Sequence, residues 1–407
     1  MVAISPFCAL RYNPELISDL SQVIAPPYDV IDAEEQERLH RASSYNLVRL
    51  ILGKQDPSDT QDENRYTRAQ RDFNAWREQG ILRRDPVPAL YLVEQLFTDE
   101  AGVVRSRVGF IALLHLHDAM ERLAYRHEAT LAAPKEDRAK LLQALPANLE
   151  PIFCVYPDEG GTVATLIRTL TKRAQPAAHA TMKDAEVRVW PITETEVIQT
   201  VARHLTSTVV LIADGHHRFE VAYANRHRYR ALMSYFVSMA ETSLIVRPIH
   251  RILQACRNPH ALHELCLIEP AADLTALIQW LQDPTGEGHF GYYDAQKFYR
   301  VQLKSDAFAQ WLMAPAVALP LATLDVSLLH GLILPRLGIN VAGVRYTAEA
   351  ASALQAVKRG EGASAWLLRG IPLRQVYALA AAGLTLPPKS TYFYPKVPSG
   401  LTINPLT

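Results

Sequence analysis

The alternation of apolar and polar positions predicts a chain of mixed helices and strands. Residues 65–79 carry Tyr66, Ala69, Phe73 and Trp76 at helical spacing. Two apolar runs, 88–97 and 104–116, flank the segment TDEAG, which is typical of an antiparallel hairpin. Further strand-length runs cover 151–156, 208–213, 232–239 and 364–369, and further helical patterns cover 134–145, 216–228, 272–282 and 325–336. The pattern therefore predicts an α/β fold.

Breaks in this pattern divide the chain into four expected regions. An N-terminal α/β region covers 1–160 and holds the HEAT and PKEDR segments, and a core region covers 161–255 and holds ADGHHR. A small α/β insertion covers 256–322, and a C-terminal region covers 323–407 and holds PPKSTYFYPK. A turn-rich stretch at 283–288 marks a weak point inside the expected insertion.

Composition narrows the classes of protein. The 407 residues include 42 Lys+Arg and 42 Asp+Glu, so the formal net charge is zero, which argues against nucleic acid or anionic membrane as a partner. No apolar run approaches the ~18 residues of a membrane span. The cysteines Cys8, Cys154, Cys256 and Cys266 form no CxxC pair, and the N-terminus lacks a signal-peptide pattern. We therefore expect a cytoplasmic protein with buried, reduced cysteines.

The strongest candidate for chemistry is the segment ADGHHR. Asp214 ends an apolar strand, Gly215 follows, and His216, His217 and Arg218 open an amphipathic helix. A helix N-terminus offers unpaired backbone N–H groups and a positive dipole end, and a glycine lets a ligand approach the backbone. Cations in a first helical turn oppose the dipole, so a bound anion would offset them. The alternative is an Asp N-cap followed by surface basic residues.

A second candidate combines a His-Glu pair with the start of a helix. Glu128 beside His127, in a loop that leads to a helix, suits a general base acting on a hydroxyl. Lys135 and Arg138 are three residues apart at the start of that helix, a spacing that would let both face one phosphate. The alternative is a solvated, charged helix end.

Two proline-containing loops are further candidates. Near the C-terminus, Pro387 and Pro388 precede Lys389, Ser390 and Thr391, whose side chains supply hydrogen-bond donors. The alternative there is a surface loop anchored by an aromatic residue.

The other proline loop lies near the N-terminus. In APPYDV, a rigid double-proline turn presents Tyr28 and Asp29, which could line a pocket. The alternative is an ordinary turn that caps a helix at 33–41.

Sequence fingerprints of metal and nucleotide sites are weak or absent. His115 and His117 alternate on a predicted strand and, with His127 or His216, could form a zinc site. No HxxxH or CxxC spacing supports that site, and we expect no protein-bound metal of this kind. The sequence contains neither a Walker A pattern nor GxGxxG.

Six segments together resemble a known prokaryotic family. They are APPYDVI, SYNLVRLILGK, HEATLAAPKEDR, N-x-x-PIF, ADGHHRFEVA and PPKSTYFYPK. The family is described only as a domain of unknown function, number 1015, and the resemblance covers residues 5–403. It specifies a family without specifying an activity.

A more distant resemblance implies chemistry. The strand–DGHHR–helix junction is similar to the phosphate-binding element of the ParB/sulfiredoxin superfamily, which implies a ParB/sulfiredoxin-like nucleotide-binding core with family-specific additional elements. Free-serine kinases of that superfamily carry a His-Glu pair, a DGHHR element and a late Pro-Lys-Ser/Thr-Thr loop, in the order found here. This chain departs from them in its longer spacings and in Tyr392-Phe393-Tyr394, which stands where those kinases have Arg-His.

The resemblance to these kinases implies phosphoryl transfer from ATP or ADP, with Mg²⁺, to a small hydroxyl substrate, free L-serine being the first choice. The implied catalytic residues are Glu128 as base, Asp214 as a Mg²⁺ ligand, and His217. The implied phosphate-binding residues are Gly215, His216, Arg218, Lys135 and Arg138. The implied substrate-binding residues are Lys389, Ser390, Thr391, Tyr28 and Asp29. We expect Glu128, His217 and Thr391 to line a single pocket.

Two other classes of function stay open. One is a nucleotide-gated ParB-like interaction module, which would be expected to carry a basic helix-turn-helix, and no convincing one is found. The other is a metal-dependent hydrolase built on His115, His117 and His127. A nucleotide and an amino acid are the expected partners, and the oligomeric state is left open, with a homodimer as one option.

Overall fold

In the computed structural model of the protein, residues 1–100, 102–254, 259–283, 285–313, 318–339 and 343–406 are described. They form two units. Unit 1 contains residues 1–126, 130–245 and the chain from Pro395 onward. Unit 2 contains His127–Ala129 and Val246–Tyr394.

Unit 1 holds most of the strands. They are β1 (Ile4–Ser5), β2 (Leu10–Tyr12), β3 (Leu82–Arg84), β4 (Leu90–Thr98), β5 (Val104–His115), β6 (Ala124–Arg126), β7 (Ala147–Asn148), β8 (Ile152–Tyr156), β9 (Ala178–Thr181), β10 (Glu186–Ile192), β11 (Val210–Asp214) and β12 (Ala231–Ser238). The C-terminal strand of the chain, Asn404–Pro405, pairs with β7.

The helices of unit 1 are α1 (Ala33–Ala42), α2 (Val48–Ile51), α3 (Arg65–Glu78), α4 (Met120–Leu123), α5 (Ala132–Ala144), α6 (Thr162–Thr171), α7 (Thr195–Thr206) and α8 (His216–Ala224). Short 3₁₀ turns cover Leu20–Gln22, Tyr28–Val30 and Glu159–Gly161.

A mixed sheet organises unit 1. Its strands follow the order β6-β11-β8-β12-β5-β4-β10-β9, with β1 added beside β5. β11 runs parallel to β6 and antiparallel to β8, whereas β12 runs parallel to β8 and antiparallel to β5. β4 and β5 pair antiparallel from Tyr91↔Ile111 to Thr98↔Val104, which confirms the predicted hairpin. The expected α/β fold is confirmed by this sheet and its helices.

The central strands of this sheet are apolar because both of their faces are covered. Every residue of β8, IFCVY, is buried, as expected for a strand with neighbours on both sides and packing on both faces. Phe110 of β5 stacks on Phe236 of β12 at 5.2 Å between ring centroids. The amphipathic helices α6 and α7 add Val163, Ile167, Val201 and Leu205 to the same core.

The last segment of the chain is anchored to this sheet by a buried arginine. Arg107 of β5 is fully buried, with its guanidinium 4.9 Å from the Phe153 ring centroid, and it donates to the carbonyl of Pro395 at 2.6 Å. The Gln95 amide donates to the carbonyl of Lys396 at 2.9 Å. These bonds fix the backbone on both sides of the Lys396 side chain.

Unit 2 is built on a second sheet. Its strands are β14 (His250–Leu253), β15 (Cys266–Ala271), β16 (His289–Tyr293), β17 (Phe298–Leu303), β18 (Arg345–Thr347), β19 (Ser364–Leu368) and β20 (Tyr392–Tyr394); β13 (Ile245–Arg247) begins at the last residue of unit 1. The sheet order is β15-β17-β16-β19-β14-β18, and the pairs are antiparallel.

The helices of unit 2 include one irregular element. They are α9 (Leu274–Leu281), α10 (Ser305–Leu312), α11 (Leu319–Ala322), α12 (Asp325–Leu328), α13 (Leu334–Arg336), α14 (Ala350–Lys358) and α15 (Leu373–Ala381), with a 3₁₀ turn at Pro259–Leu262. A π-helical turn, Leu329–Ile333, joins α12 to α13. The predicted helix 325–336 is therefore present, with a widened middle. Residues of α9 and α14 pack on the sheet, Leu277, Ala353 and Val357 among them.

The units differ from the four expected regions. The expected regions 1–160 and 161–255 share one sheet, because β8 pairs with both β11 and β12. The expected insertion 256–322 and the C-terminal region share the other, because β16 pairs with β19. Backbone hydrogen bonds between strands far apart in sequence thus cross the expected boundaries at 160/161 and 322/323. The predicted turn at 283–288 includes Pro284, and Cys256 was expected to be buried; both residues lie outside the described part of the chain.

Two smaller expectations concern thiols and membrane helices. Cys154 and Cys266 are buried free thiols, and Cys8 is partly exposed. Among the described residues, no helix has both the length and the apolar character needed to cross a bilayer.

The tight contact at Gly109 gives a stability prediction. A Cβ at Gly109 of β5 would lie 2.5 Å from the Phe236 carbonyl oxygen and 2.6 Å from the Tyr235 ring. We expect Gly109→Ala to lower the free energy of unfolding by about 2–3 kcal/mol through overpacking. Thermal and urea unfolding would measure the change, with Val104→Ala on the same strand as control, because that side chain is 72% exposed. Equal stability of the two variants would contradict the predicted packing.

Candidate functional site

The strand–helix junction at Gly215 is the framework of the site in unit 1. β11 ends at Asp214, and its pairing register with β8 shifts between Ile212 and Asp214. Gly215 has φ +87° and caps α8, and its carbonyl accepts from the Phe219 N–H at 2.9 Å. The chain therefore passes from strand to helix through one left-handed residue, which glycine adopts at no steric cost.

Gly215 is also required by close packing. A Cβ at this position would lie 2.9 Å from Ile152 Cγ2 and 3.1 Å from Arg218 Nε. The absence of a side chain thus lets Arg218 fold back over the backbone of the junction. The same absence lets a ligand approach the first turn of α8.

An ion cluster occupies the junction. Asp214 accepts from Lys396 Nζ at 2.5 Å through Oδ1 and from Arg218 Nη2 at 3.1 Å through Oδ2. The three side chains are 10–14% exposed. Burial raises the pKa of Asp214, but Lys396 and Arg218 lower it by more, to about 2. Asp214 is therefore ionised at neutral pH, and two cations face one carboxylate.

Arg218 has hydrogen-bonding capacity beyond this cluster. Its Nη1 donates to the carbonyl of Pro151 at 2.5 Å. Its Nε is buried and has no hydrogen-bond partner among the described residues. A cavity of about 60 Å³ lies beside it and is lined also by Arg138 and Glu150. An unsatisfied buried N–H on a guanidinium costs free energy, which a bound acceptor would recover.

The second expected arginine lies in the same region of unit 1. Arg138 of α5 is stacked over the Tyr28 ring, 3.9 Å from its centroid, and donates to Glu150 at 3.4 Å and to Asp137. Glu150 Oε1 also accepts from the Tyr28 N–H at 3.1 Å. Burial, and then Asp29, raise the pKa of the Tyr28 hydroxyl. Asp29 itself is exposed.

Lys135 and Arg138 do not face the same partner. Lys135 donates to Glu220 of α8 at 3.0 Å, whereas Arg138 turns towards Glu150. The expectation that the two cations face one phosphate is therefore not met by the structure, because carboxylates on different elements hold them apart.

The histidines of the ADGHHR segment have different surroundings. The His216 side chain is buried, and its proximity lowers the pKa of Asp214. His217 Nε2 accepts from the Leu131 N–H at 3.0 Å. A ring nitrogen that accepts carries no proton, so His217 is neutral in this arrangement, with its proton on Nδ1.

Unit 2 brings the His-Glu pair and the late loop together. Glu128 Oε1 accepts from the Lys389 N–H at 3.1 Å, and His127 Nε2 shares a hydrogen bond of 2.9 Å with the Thr391 hydroxyl. Ser390 donates to the Pro387 carbonyl at 2.5 Å. Lys389 adopts φ +57°, a left-handed conformation that is uncommon outside glycine and is often found at functional sites.

The predicted site residues thus fall into two sets. Unit 1 holds Tyr28, Asp29, Lys135, Arg138 and Asp214 to Arg218. Unit 2 holds Glu128 and Lys389 to Thr391. Within unit 1, Asp214 and Arg218 share the ion cluster; within unit 2, Glu128 holds the Lys389 backbone. That Glu128, His217 and Thr391 line a single pocket stays a prediction.

Three residues that the sequence did not single out are central to this geometry. Lys396 pairs with Asp214, Glu150 pairs with Arg138, and Glu220 pairs with Lys135. Lys396 is the last residue of PPKSTYFYPK, and Glu150 lies inside the N-x-x-PIF segment, so both were part of recognised motifs. Glu220 lies two residues after Arg218, inside the ADGHHRFEVA segment, but the sequence indicated no role for it.

The zinc alternative finds no ligand set in the described ranges, where no three His, Cys, Asp or Glu side chains gather around a common point. His115 Nε2 lies 2.9 Å from the Ser5 hydroxyl, and His117 Nε2 lies 3.1 Å from the Met1 carbonyl. Both oxygens of Asp214 already accept from cations, so direct coordination of Mg²⁺ by Asp214 would require displacement of Lys396 or Arg218.

Comparison with known proteins identifies a family. The family model described as "Protein of unknown function (DUF1015)" matches residues 4–327. No curated protein matches the chain.

Solved structures show weak similarity. A conserved hypothetical protein from Pyrococcus furiosus aligns with TM-score 0.35 and 12% identity over 73% of this chain and 95% of its own. A free serine kinase in complex with AMP aligns with TM-score 0.35 and 14% identity over 72% and 92%. C-terminally truncated SbnI from Staphylococcus aureus aligns with TM-score 0.37 and 10% identity over 72% and 87%. These values are too low to assign an activity.

The Gly215 geometry predicts a specific loss of stability. We expect Gly215→Ala to lower the free energy of unfolding by more than the about 1–2 kcal/mol that a left-handed alanine costs. The reason is the added contact with Ile152 and Arg218. Gly160→Ala is the matched control, because Gly160 has φ +76° and no atom within 4 Å of its Cβ position. Denaturant unfolding of both variants separates backbone strain from crowding; equal losses would refute the crowding.

The ion cluster predicts an acid-dependent contribution. The folded pKa of Asp214 lies below the unfolded value of about 3.9, so its pairing stabilises the fold above that value and is lost as the pH falls towards 2. We expect Asp214→Asn to lower the melting temperature most at pH 5–7 and progressively less below pH 4. Asp118→Asn, which removes a 79%-exposed partner of Arg226, should have little effect at any pH. A difference for Asp214→Asn that did not depend on pH would contradict the assignment.

Proposed function

For this chain, which belongs to the DUF1015 family, we propose a phosphotransferase function: transfer of a phosphoryl group from ATP or ADP to the hydroxyl of a small molecule. Free L-serine, giving O-phosphoserine, is the first substrate to test. The motif order His-Glu, DGHHR and Pro-Lys-Ser-Thr supports this choice because it resembles that of free-serine kinases.

The observation that carries the proposal is the junction at Gly215. Arg218 and Lys396 converge on Asp214 at the N-terminus of α8, and one carboxylate faces both cations. The helix dipole adds positive potential at the same place. Together these groups form an environment suited to nucleotide phosphates, and the buried Arg218 Nε offers a further donor.

Phosphoryl transfer depends on positioning and charge neutralisation more than on covalent chemistry by the protein. In the proposed step the substrate hydroxyl oxygen attacks the terminal phosphorus, the bond to the bridging oxygen breaks, and the hydroxyl proton passes to Glu128. Arg218 and Lys396 neutralise the terminal phosphate, and the backbone at Gly215 and His216 contacts it. Asp214 would hold Mg²⁺, directly or through water, and the ion would supply neutralisation of phosphate charge.

In this proposal His217 acts as a neutral hydrogen-bond donor and not as a cation. Because its Nε2 accepts from the Leu131 N–H, the protonated Nδ1 is the atom that would donate to a phosphate oxygen. Three other residues, Lys135, Arg138 and Tyr28, would support the site without contacting the phosphates. Lys135 holds Glu220 of α8, and Arg138 is stacked on Tyr28.

The late loop supplies the proposed substrate side. The Lys389 N–H orients the Glu128 carboxylate, and His127 orients the Thr391 hydroxyl. Lys389, Ser390 and Thr391 would bind the carboxylate of the amino acid, with Asp29 as a further substrate contact. These assignments rest on hydrogen bonds within unit 2 and on the motif resemblance.

The primary experiment is a screen of ATP and ADP, with Mg²⁺, against hydroxyl-bearing amino acids. Phosphorylated product would be detected by ³¹P NMR and mass spectrometry. The proposal expects O-phosphoserine from at least one nucleotide. Absence of phosphorylated product with every pair, in a protein that binds nucleotide, would refute the kinase assignment.

The base assignment predicts a loss confined to turnover. Glu128→Gln keeps size and hydrogen-bonding capacity but removes basicity, so we expect kcat to fall by about 10²–10⁴. Nucleotide affinity should stay near wild type, because Glu128 is not assigned to the phosphates. Glu136→Gln, an exposed position paired with Lys140, is the matched control. Full turnover of Glu128→Gln on every accepted substrate would show that the proposed mechanism is wrong.

The phosphate assignment predicts a loss of binding. We expect Lys396→Met to weaken nucleotide affinity about tenfold or more, because it removes a charge-assisted contact that exists before the chemical step. Arg226→Met is the control, since Arg226 lies just beyond α8 and pairs with exposed Asp118. Calorimetric titration with ADP and ATP measures both. Unchanged affinity of a folded Lys396→Met protein would remove Lys396 from the site.

A further inference from the structure

Unit 2 contains a cavity of about 570 Å³, lined by Ser390 of the proposed substrate loop and, apart from it, by residues to which the proposed phosphotransfer assigns no role. We infer that this cavity binds a small monocarboxylate with an aliphatic body, and that Arg251 pairs with its carboxylate. The inference rests on residues of unit 2 alone and does not depend on the kinase proposal.

Arg251 is a buried cation without a counter-ion. It lies on β14, lines the cavity and is 1% exposed. No Asp or Glu of the described residues forms an ion pair with it, and its Nη2 has no hydrogen-bond partner there. Burial lowers the pKa of Arg251 only to about 10, so the guanidinium stays charged at neutral pH. An unpaired buried charge is costly, and an anion in the cavity would offset that cost.

The contacts that Arg251 does make orient it without neutralising it. Its Nε donates to His330 Nε2 at 3.0 Å, its Nη1 donates to the Ile249 carbonyl, and the Tyr346 ring centroid lies 5.3 Å away. Burial, and then the charge of Arg251, lower the pKa of His330 to about 4, so this imidazole is a neutral acceptor. These contacts therefore hold the guanidinium through Nε and Nη1, and Nη2 is left without a partner among the described residues.

The element that presents His330 is itself irregular. His330 lies on the π-helical turn Leu329–Ile333, between α12 and α13. π-Helical turns are rare overall, but those that occur are frequently found at functional sites. Here the widened turn places an imidazole acceptor against Arg251, an observation independent of the missing counter-ion.

The charges around the cavity favour a monoanion. Arg369 also lines it, but Asp325 accepts from both Nε and Nη2 of Arg369, at 2.6 and 2.8 Å, so that pair is neutral. Arg251 is the one lining cation left without a carboxylate among the described residues. Exposed Asp283 and Glu287 also line the cavity, and their negative charges disfavour a phosphate dianion.

The remaining wall accounts for the body of the ligand. Six aliphatic side chains line the cavity: Ile249, Leu281, Leu324, Val326, Leu368 and Ile371. An apolar wall with one fork-shaped cation matches a carboxylic acid with a short aliphatic chain, because a guanidinium binds a carboxylate with two parallel hydrogen bonds.

The test is direct binding to the full chain, without nucleotide. Isovalerate is the probe, with isovaleramide as its uncharged analogue and inorganic phosphate as a second anion, each at ionic strength matched with sodium chloride. Calorimetry and ¹H NMR line broadening report binding, and the melting temperature reports stabilisation. We expect saturable binding of isovalerate and none of isovaleramide or phosphate.

The variant Arg251→Met removes the charge and keeps the aliphatic stem. We expect isovalerate affinity to fall about tenfold or more. The melting temperature without ligand should stay equal or rise, because an uncompensated buried charge is removed. Arg345→Met on the neighbouring strand β18, where Arg345 pairs with Glu361, is the matched control. If Arg251→Met does not fold, Arg251→Lys keeps the charge, loses the fork, and should weaken binding in the same direction.

Three results would overturn the inference. They are no saturable binding of isovalerate to the wild type, equal binding to a folded Arg251 variant, and tighter binding of phosphate than of isovalerate. Failure of the kinase screen would leave the inference intact, because its readout contains neither nucleotide nor phosphorylated product.

Discussion

One carboxylate, whose side chain is 14% exposed, holds the proposed phosphate site together. Asp214 joins the end of β11, the first turn of α8 and Lys396, which lies 182 residues later in the chain. Because a buried carboxylate must be paired, loss of either cation would leave the other pairing to support the charge alone. The backbone on both sides of Lys396 is fixed in turn by Arg107 and Gln95 of the central sheet. The position of the site therefore depends on the sheet as a whole.

The same cluster explains why the junction can be stable and still reactive. Two cations share the Asp214 carboxylate, the charge of Glu150 also acts on Arg218, and Arg218 Nε keeps a donor that a bound ligand could use. Gly215 leaves the space that such a ligand needs, and a side chain there would press on Arg218. Stability and binding thus place the same demand on residue 215. This is the physical reason to expect a glycine at this junction whatever the ligand proves to be.

The sequence predicted what is local and missed what is distant. The β4–β5 hairpin and the strand–Gly–helix junction follow from alternation, a turn and a glycine, all within a few residues. The Asp214–Lys396 pair could not be found that way, because no periodicity relates residues so far apart. For the same reason the sequence did not indicate that Lys135 and Arg138 turn to different carboxylates, since Glu220 and Glu150 on other elements decide where the two cations point.

The two units differ in how their charged side chains are paired, and the overall composition does not show this difference. The chain has zero formal net charge, yet its charged side chains differ in how many oppositely charged partners they have. In unit 1, partly buried Asp214 has two cationic partners, and Arg138 has two carboxylates. In unit 2, Arg251 has none among the described residues, although Arg369 in the same cavity is fully paired with Asp325. Among the described residues, the cavity therefore has a carboxylate partner for Arg369 but none for Arg251. A bound carboxylate is the simplest group that would balance the charge of Arg251.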